Sequence, residues 1–151
     1  MKTSANGLAE ITALAGRDLG HGDWLEVTQD RIDQFADATD DHQWIHVDPE
    51  RAANGPFGST IAHGYLTLAL VIPLFTDLLA IEGVRMSVNY GLEKVRFPTP
   101  VPVGGKIRLT AAVAEVTGLE GGVQMLLDFT VELQGAEKPA CVARAVYRHY
   151  A

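Results

Sequence analysis

A chain of 151 residues with 47% hydrophobic and 21% charged side chains suits one globular domain, large enough to bury roughly two-thirds of its unfolded surface without a disulfide or metal staple. Its formal net charge of −7 argues against a nucleic-acid binder, which needs a basic footprint, and gives no support for docking on anionic membranes. The one cysteine, Cys141, cannot form an internal disulfide, which favours a reducing, cytoplasmic compartment. It sits in the apolar run Ala140–Ala143 and reads as a small core residue, not a reactive thiol.

Met1–Gly16 lacks a basic start followed by a long apolar run, so no signal peptide is expected. Residues 1–23 read as a short N-terminal extension of a single domain over 1–151, with a short helix at Ala5–Ala15. Trp24–Val27 is a short strand. Thr28 is a helix N-cap, Asp30 adds first-turn negative charge, and Ile32, Phe35, Ala36 and Thr39 follow at helical spacing. This predicts an amphipathic helix over Gln29–Thr39. Asp40–Thr60 has no clean period. Asp48-Pro49 looks like an N-cap with proline at the first helical position, opening one turn through Ala53. An irregular stretch this long in a compact domain is usually functional.

Ala62–Leu79 is apolar on nearly every helical face, which predicts a buried helix, kinked or cut by Pro73. His63, Gly64, Pro73 and Asp77 interrupt Ile61–Leu79, so it is not a membrane span. From Gly83 the period becomes two. Val84, Met86, Val88, Tyr90 and Leu92 share one face. Val95 and Phe97 take the other parity, which implies a bulge near Glu93-Lys94. Pro98, Pro100 and Pro102 make an extended loop. Strands over 107–113, 123–133 and 139–150 follow, with turns at Gly118–Gly122 and Gly135–Lys138. The expected architecture is α+β: four long strands in hairpin succession, curled as an antiparallel sheet around the buried helix. One sheet cannot cover every face of such a helix, so a second copy of the chain is expected to supply the rest.

Polar residues concentrate at Asp40-Asp41-His42-Gln43-Trp44-Ile45-His46-Val47-Asp48-Pro49, and His63-Gly64 opens the buried helix. Three readings suit this cluster. His42 and His46 are four apart, as zinc ligands on a helix are, but the glutamate of that motif is absent and Pro49 opposes a helix here. The run could be a solvated loop whose aspartates cap helices. Asp41 and His46 could instead converge as a general acid/base pair, since a histidine near pKa 6.5 holds and passes a proton at working pH.

The stretch Phe35–Pro49, followed by Gly55–Gly64, closely resembles the MaoC-like, (R)-specific enoyl-CoA hydratases. Their signature is an aspartate, four residues, a histidine and then x-Asp-Pro, with a His-Gly pair about seventeen residues on. It falls here on Asp41, His46, Asp48-Pro49 and His63-Gly64. Tyr90–Gly104 resembles the family's second sheet segment, and the likeness runs from about Trp24 to Tyr150. The resemblance implies a hot-dog fold, with about five antiparallel strands wrapped around a long central helix, and a homodimer or a dimer of dimers. It implies reversible (R)-specific hydration of a trans-2-enoyl thioester on CoA or a carrier protein, with Asp41 and His46 catalytic. No cofactor and no metal are expected, since the CoA thioester is the substrate.

Water must add to C3 while a proton reaches C2, and negative charge builds on the thioester oxygen. The Gly64 backbone N–H, at a helix start, suits that oxyanion. His63 and Trp44 are candidate substrate-binding residues. Trp44 stands where many relatives have a smaller residue, and would reshape the acyl pocket. Asp40, a second adjacent carboxylate, would raise the pKa of Asp41 unless it points to solvent. Lys94, Arg96, Lys106, Arg108, Arg144 and Arg148 could meet CoA phosphates, though charges on outer strand faces are usually just solvated. A hot-dog thioesterase and a non-catalytic acyl-binding protein are the alternatives. The former lacks support in the Asp41/His46 spacing, and the latter needs no acid/base pair.

Overall fold

The computed structural model describes residues 2–151. β1 (Thr3–Asn6), α1 (Gly7–Thr12), β2 (Asp18–His21) and β3 (Leu25–Glu26) precede α2 (Gln29–Thr39). Residues expected as one helix over Ala5–Ala15 thus form a strand and a shorter helix. β1 pairs in parallel with β4 (Leu79–Glu82), and Ile11 is fully buried. The segment before Trp24 is therefore woven into the core. α2 starts and stops where its caps predict: the Thr28 side chain accepts from the Arg31 N–H at 3.2 Å, and Asp40 leaves the helix in the left-handed region, φ 59°.

α3 (Trp44–Val47) and α4 (Pro49–Ala53) are single turns, the second capped by Asp48, which accepts from Arg51 N–H at 3.1 Å. The expected central helix is two short ones, α5 (Gly64–Ala69) and α6 (Val71–Thr76), parted at Leu70. Pro73 has no N–H for the Ala69 carbonyl and its ring crowds that group, so the break lies one turn before the proline. Leu66, Leu70, Val71, Leu74, Phe75 and Leu78 are buried, whereas Tyr65 is 75% and Ile72 43% exposed. The sheet covers one side of the helix pair only.

That sheet runs β2–β6–β7–β8–β5, with β3 sharing the β6 edge. It is five positions wide and antiparallel, built from β5 (Met86–Arg96), β6 (Lys106–Leu119), β7 (Gly122–Leu133) and β8 (Cys141–Tyr150). β6, β7 and β8 form the expected meander. β5 does not form a hairpin with β6. It pairs with β8 at the far edge, Met86 opposite Tyr150. Prolines at 98, 100 and 102 make 97–105 an extended crossover, not a turn. The register slips between Leu92 and Lys94, where the change of parity places a bulge, and again between Asn89 and Gly91. On the inner face, Ile107, Leu109, Val113, Met125, Leu127, Phe129 and Val131 are all at most 2% exposed. Phe75 of α6 seats on Phe129 and Tyr147 at centroid distances of 5.3 and 5.6 Å. A sheet wrapped about a helix in this way is the hot-dog fold.

The crossover also builds the site. Ala62 N–H donates to Val101 O (2.8 Å), and Val103 N–H donates to Thr60 O (2.9 Å). Residues 60–62 are thereby fixed against the crossover, directly before α5.

Candidate active site

Helix α2 delivers the chain to Asp40, whose left-handed conformation turns it sharply into Asp41–Gln43. The single turn α3 follows. Four residues cannot hold a helix by their own hydrogen bonds, so α3 depends on its surroundings. Ile61 N–H donates to Ile45 O at 3.0 Å, and the Gln29 amide donates to His46 O at 2.8 Å. His46 is thereby carried on a turn anchored to both α2 and the 60–62 segment.

His46 is 6% and His63 3% exposed, and their rings stack at 3.9 Å between centroids, 22° from parallel. His46 Nδ1 lies 2.7 Å from Ile61 O. A carbonyl only accepts, so Nδ1 carries the proton and Nε2 keeps its lone pair. By the same logic His63 Nε2–H donates to Asp41 O at 3.0 Å. This pins the Asp41 backbone to the start of α5. His63 Nδ1 is buried with no hydrogen-bond partner among the described residues. A carboxylate oxygen of the exposed Asp41 and one ring nitrogen of each histidine lie within 4.8 Å of one another. Burial pushes the His46 pKa below its ordinary 6.5, and the His63 ring adds to that, opposed by the Ile61 hydrogen bond and the Asp41 charge. Near neutral pH the imidazole is therefore an uncharged base.

A cavity of ≈ 230 Å³ opens beside this pair, with His46, Phe57, Ile61, Gly64, Phe97 and Val101 on its wall. It is mostly apolar, as a hydrocarbon tail requires. Gly64 is the first residue of α5, and its N–H has no intrahelical partner. A Cβ there would lie 3.3 Å from the Phe97 ring, so glycine serves close packing as well as access to the amide.

Trp44, a candidate for shaping the pocket, is placed elsewhere. It packs against Gly55, where a Cβ would come within 2.9 Å of the indole, and beneath the Arg51 guanidinium at 4.4 Å. It does not line the cavity. His42, which spacing pairs with His46, turns its Nε2 to Asp37 Oδ1 at 2.8 Å on the surface. That hydrogen bond raises its pKa. Asp41, His46 and His63 are metal-ligand residue types. One His63 nitrogen is committed to Asp41 O and His46 Nδ1 to Ile61 O, which leaves one ring nitrogen free on each histidine. Of the cations that could meet phosphate, Arg108 is paired with Glu132 (2.6 Å) and Arg144 with Asp128 (2.7 Å), while Arg148 lies over Tyr90.

Sequence reasoning missed Gln29, Thr60 and Phe97 as parts of the site. Gln29 read only as the residue after an N-cap, and nothing local reveals that its side chain reaches His46, seventeen residues on.

Comparison with known proteins bears on this geometry. A family model described as "MaoC like domain" matches residues 10–132. The chain is 52% identical over 145 residues to 3-hydroxyacyl-thioester dehydratase Z of Mycobacterium tuberculosis, covering 95% of this chain and 96% of that one. Among solved structures it is similar to a monoamine oxidase regulatory protein from Archaeoglobus, with a TM-score of 0.79 and 26% identity over 99% of this chain and 97% of that one. It is also similar to the (R)-hydratase from A. caviae involved in PHA biosynthesis, with a TM-score of 0.68 and 25% identity over 88% and 94% of the two chains. With the family model matched over most of its length and a relative this similar end to end, the chain belongs to the MaoC-like dehydratase family, a family of hydro-lyases with the hot-dog fold.

Proposed function

We propose that the chain reversibly hydrates trans-2-enoyl thioesters to (R)-3-hydroxyacyl thioesters, with Asp41 and His46 as the catalytic pair. The observation that carries this is the tautomer of His46. Ile61 O holds the proton on Nδ1, which leaves the Nε2 lone pair free on a residue that lines an apolar cavity and has the Asp41 carboxylate nearby. Water, oriented by Asp41, gives a proton to His46 Nε2 as its oxygen bonds to C3. The electron pair of the C2–C3 double bond moves toward the thioester carbonyl, whose oxygen becomes negative. The Gly64 N–H and the α5 N-terminus face that charge. The pair then returns a proton to C2, which balances the addition, and dehydration is the same path reversed.

The acyl group is carried on CoA or on a carrier protein, and the reaction draws on no cofactor. Two copies of the chain associate. Support comes from Tyr65 and Ile72, exposed on the helix pair, and from Met86, Tyr90 and Leu92, exposed on the free edge strand β5. A long apolar edge is a pairing surface. No helix among the described residues is long and apolar enough to cross a membrane. The one cysteine is buried as a thiol, which supports a reducing, cytoplasmic setting.

Incubation with crotonyl-CoA and longer enoyl-CoAs tests the activity. Loss of enoyl absorbance without release of free thiol is the expected result. Thiol release would identify a thioesterase, and no turnover at any chain length would overturn the reading.

A further inference from the structure

We propose that Gln29, acting with Thr60, is a positioning residue that holds His46 in its base-competent state. The Gln29 side chain is half-buried at the start of α2. Both of its amide hydrogens are used: Nε2 donates to His46 O and to Asp33 Oδ1, each at 2.8 Å. Its oxygen accepts from Thr60 Oγ1–H at 2.5 Å. Carbonyl and carboxylate both demand a donor, so the orientation of the amide follows from its neighbours. Thr60 is 1% exposed.

These contacts join the two segments whose relative position decides the state of His46. One is α3, too short to satisfy its own last carbonyls, where Gln29 takes the His46 carbonyl. The other is the 60–62 segment, in which Thr60 adjoins Ile61. Ile61 O accepts from His46 Nδ1–H (2.7 Å), and its N–H donates to Ile45 O (3.0 Å). Gln29 does not line the cavity. It acts on both partners of the Nδ1–H···O bond through the backbone. Without it, the Ile61 N–H to Ile45 O bond remains but the side-chain tie between the two segments is lost, which loosens the Nδ1–H···O contact and lets the proton pass to Nε2, where it occupies the lone pair the reaction needs. Misplacement of a catalytic group by about 1 Å costs on the order of 10²-fold in rate.

The inference rests on the proposed role of His46, and the experiment separates the two. Thr60→Val removes the hydroxyl at nearly constant volume, and Thr60→Ser keeps it. Gln29→Glu keeps the acceptor but cannot donate to His46 O. Each is measured for kcat and KM with crotonyl-CoA, and for the His46 ring tautomer by ¹⁵N NMR of histidine-labelled protein without substrate. His46→Gln is run alongside. Thr60→Val and Gln29→Glu should each lower kcat about 10- to 10²-fold with little change in KM, and shift the His46 signals away from the pure Nδ1–H form. Thr60→Ser should restore both. Unchanged kcat in Thr60→Val, lost activity with an unchanged tautomer, or Thr60→Ser as damaging as Thr60→Val would each overturn the inference. If Gln29→Glu does not fold, the threonine pair decides alone. If His46→Gln is active, the catalytic reading falls, while the tautomer measurement still decides the positioning.

Discussion

Gly64 offers the sharpest separation of a backbone group from its surroundings. An N–H that faces the oxyanion cannot be removed by shortening a side chain, but proline removes it. Proline is tolerated at the first position of a helix, and His63, at φ −58° and ψ 140°, already has the extended conformation a pre-proline residue prefers. Gly64→Ala is the control. In both variants the new Cβ meets the Phe97 ring at 3.3 Å, so Phe97 must yield by a few tenths of an ångström in each. Proline puts its ring Cδ where alanine keeps the N–H, and losing one such donor typically costs about 3 kcal/mol, or about 10²-fold in rate. Gly64→Pro should therefore lose kcat about 10²-fold beyond Gly64→Ala, with similar melting temperatures. The assay is the initial rate of enoyl absorbance loss across substrate concentrations. Crowding alone would act on both variants and mainly on KM. Equal kcat in the two would show that Gly64 serves the packing of Phe97 and that the oxyanion donor lies elsewhere.

Asp41→Asn and His46→Gln should each cut kcat by at least ~10²-fold while melting like the parent protein. Asp40→Asn should be mild, because asparagine tolerates the left-handed conformation found there, and a large loss in Asp40→Asn with a mild Asp41→Asn would reassign the carboxylate. The hydration rate at low substrate should fall with acid only below the ordinary histidine pKa of 6.5, since burial lowers that of His46, and a pH–rate profile with its acid limb above that value would contradict the assignment. His46 and His149 both have pKa values lowered by burial. At these two residues the unfolded chain binds more protons than the folded one just below pH 6.5, so their contribution to stability declines as pH falls through that window, opposed by the exposed His42, whose pKa is raised; denaturant melts of His149→Gln against the parent protein should show a shallower decline. Phe129→Ala, at a 2% exposed position against Phe75 and Tyr147, should lose about 3–5 kcal/mol in the same melts. Light scattering at micromolar concentration should give at least a dimer mass, and Ile72→Glu should lower it.

The elements legible in the sequence are those whose causes are local. Thr28 and Asp48-Pro49 mark helix starts because capping is chemistry within three residues, and the switch of parity after Leu92 marks a bulge because side chains alternate strictly along a strand. What was not legible depends on distant partners. Leu79 reads as the end of a helix, and the parallel pairing of Leu79–Glu82 with Thr3–Asn6 overrides that. Trp44–Val47 is a helical turn only because Gln29 and Ile61 hold it. The place of β5 beside β8 depends on where a proline-rich crossover leads. The candidate site divides in the same way. Asp41 and His46 stand close in the chain and carry a recognisable spacing, so their approach could be anticipated. The stacking of His63 on His46, the Phe97 wall and the Gln29–Thr60 link, which alone spans 31 positions, bring distant residues together, and no local pattern encodes them.

Chiral analysis of the product formed from crotonyl-CoA by the wild-type protein, with Asp41→Asn and His46→Gln as paired controls, tests the proposed reaction most directly. The expected product is (R)-3-hydroxybutyryl-CoA, formed by the wild type and nearly absent with either variant. The (S) product, or equal turnover by the wild type and both variants, would contradict the assignment of this site.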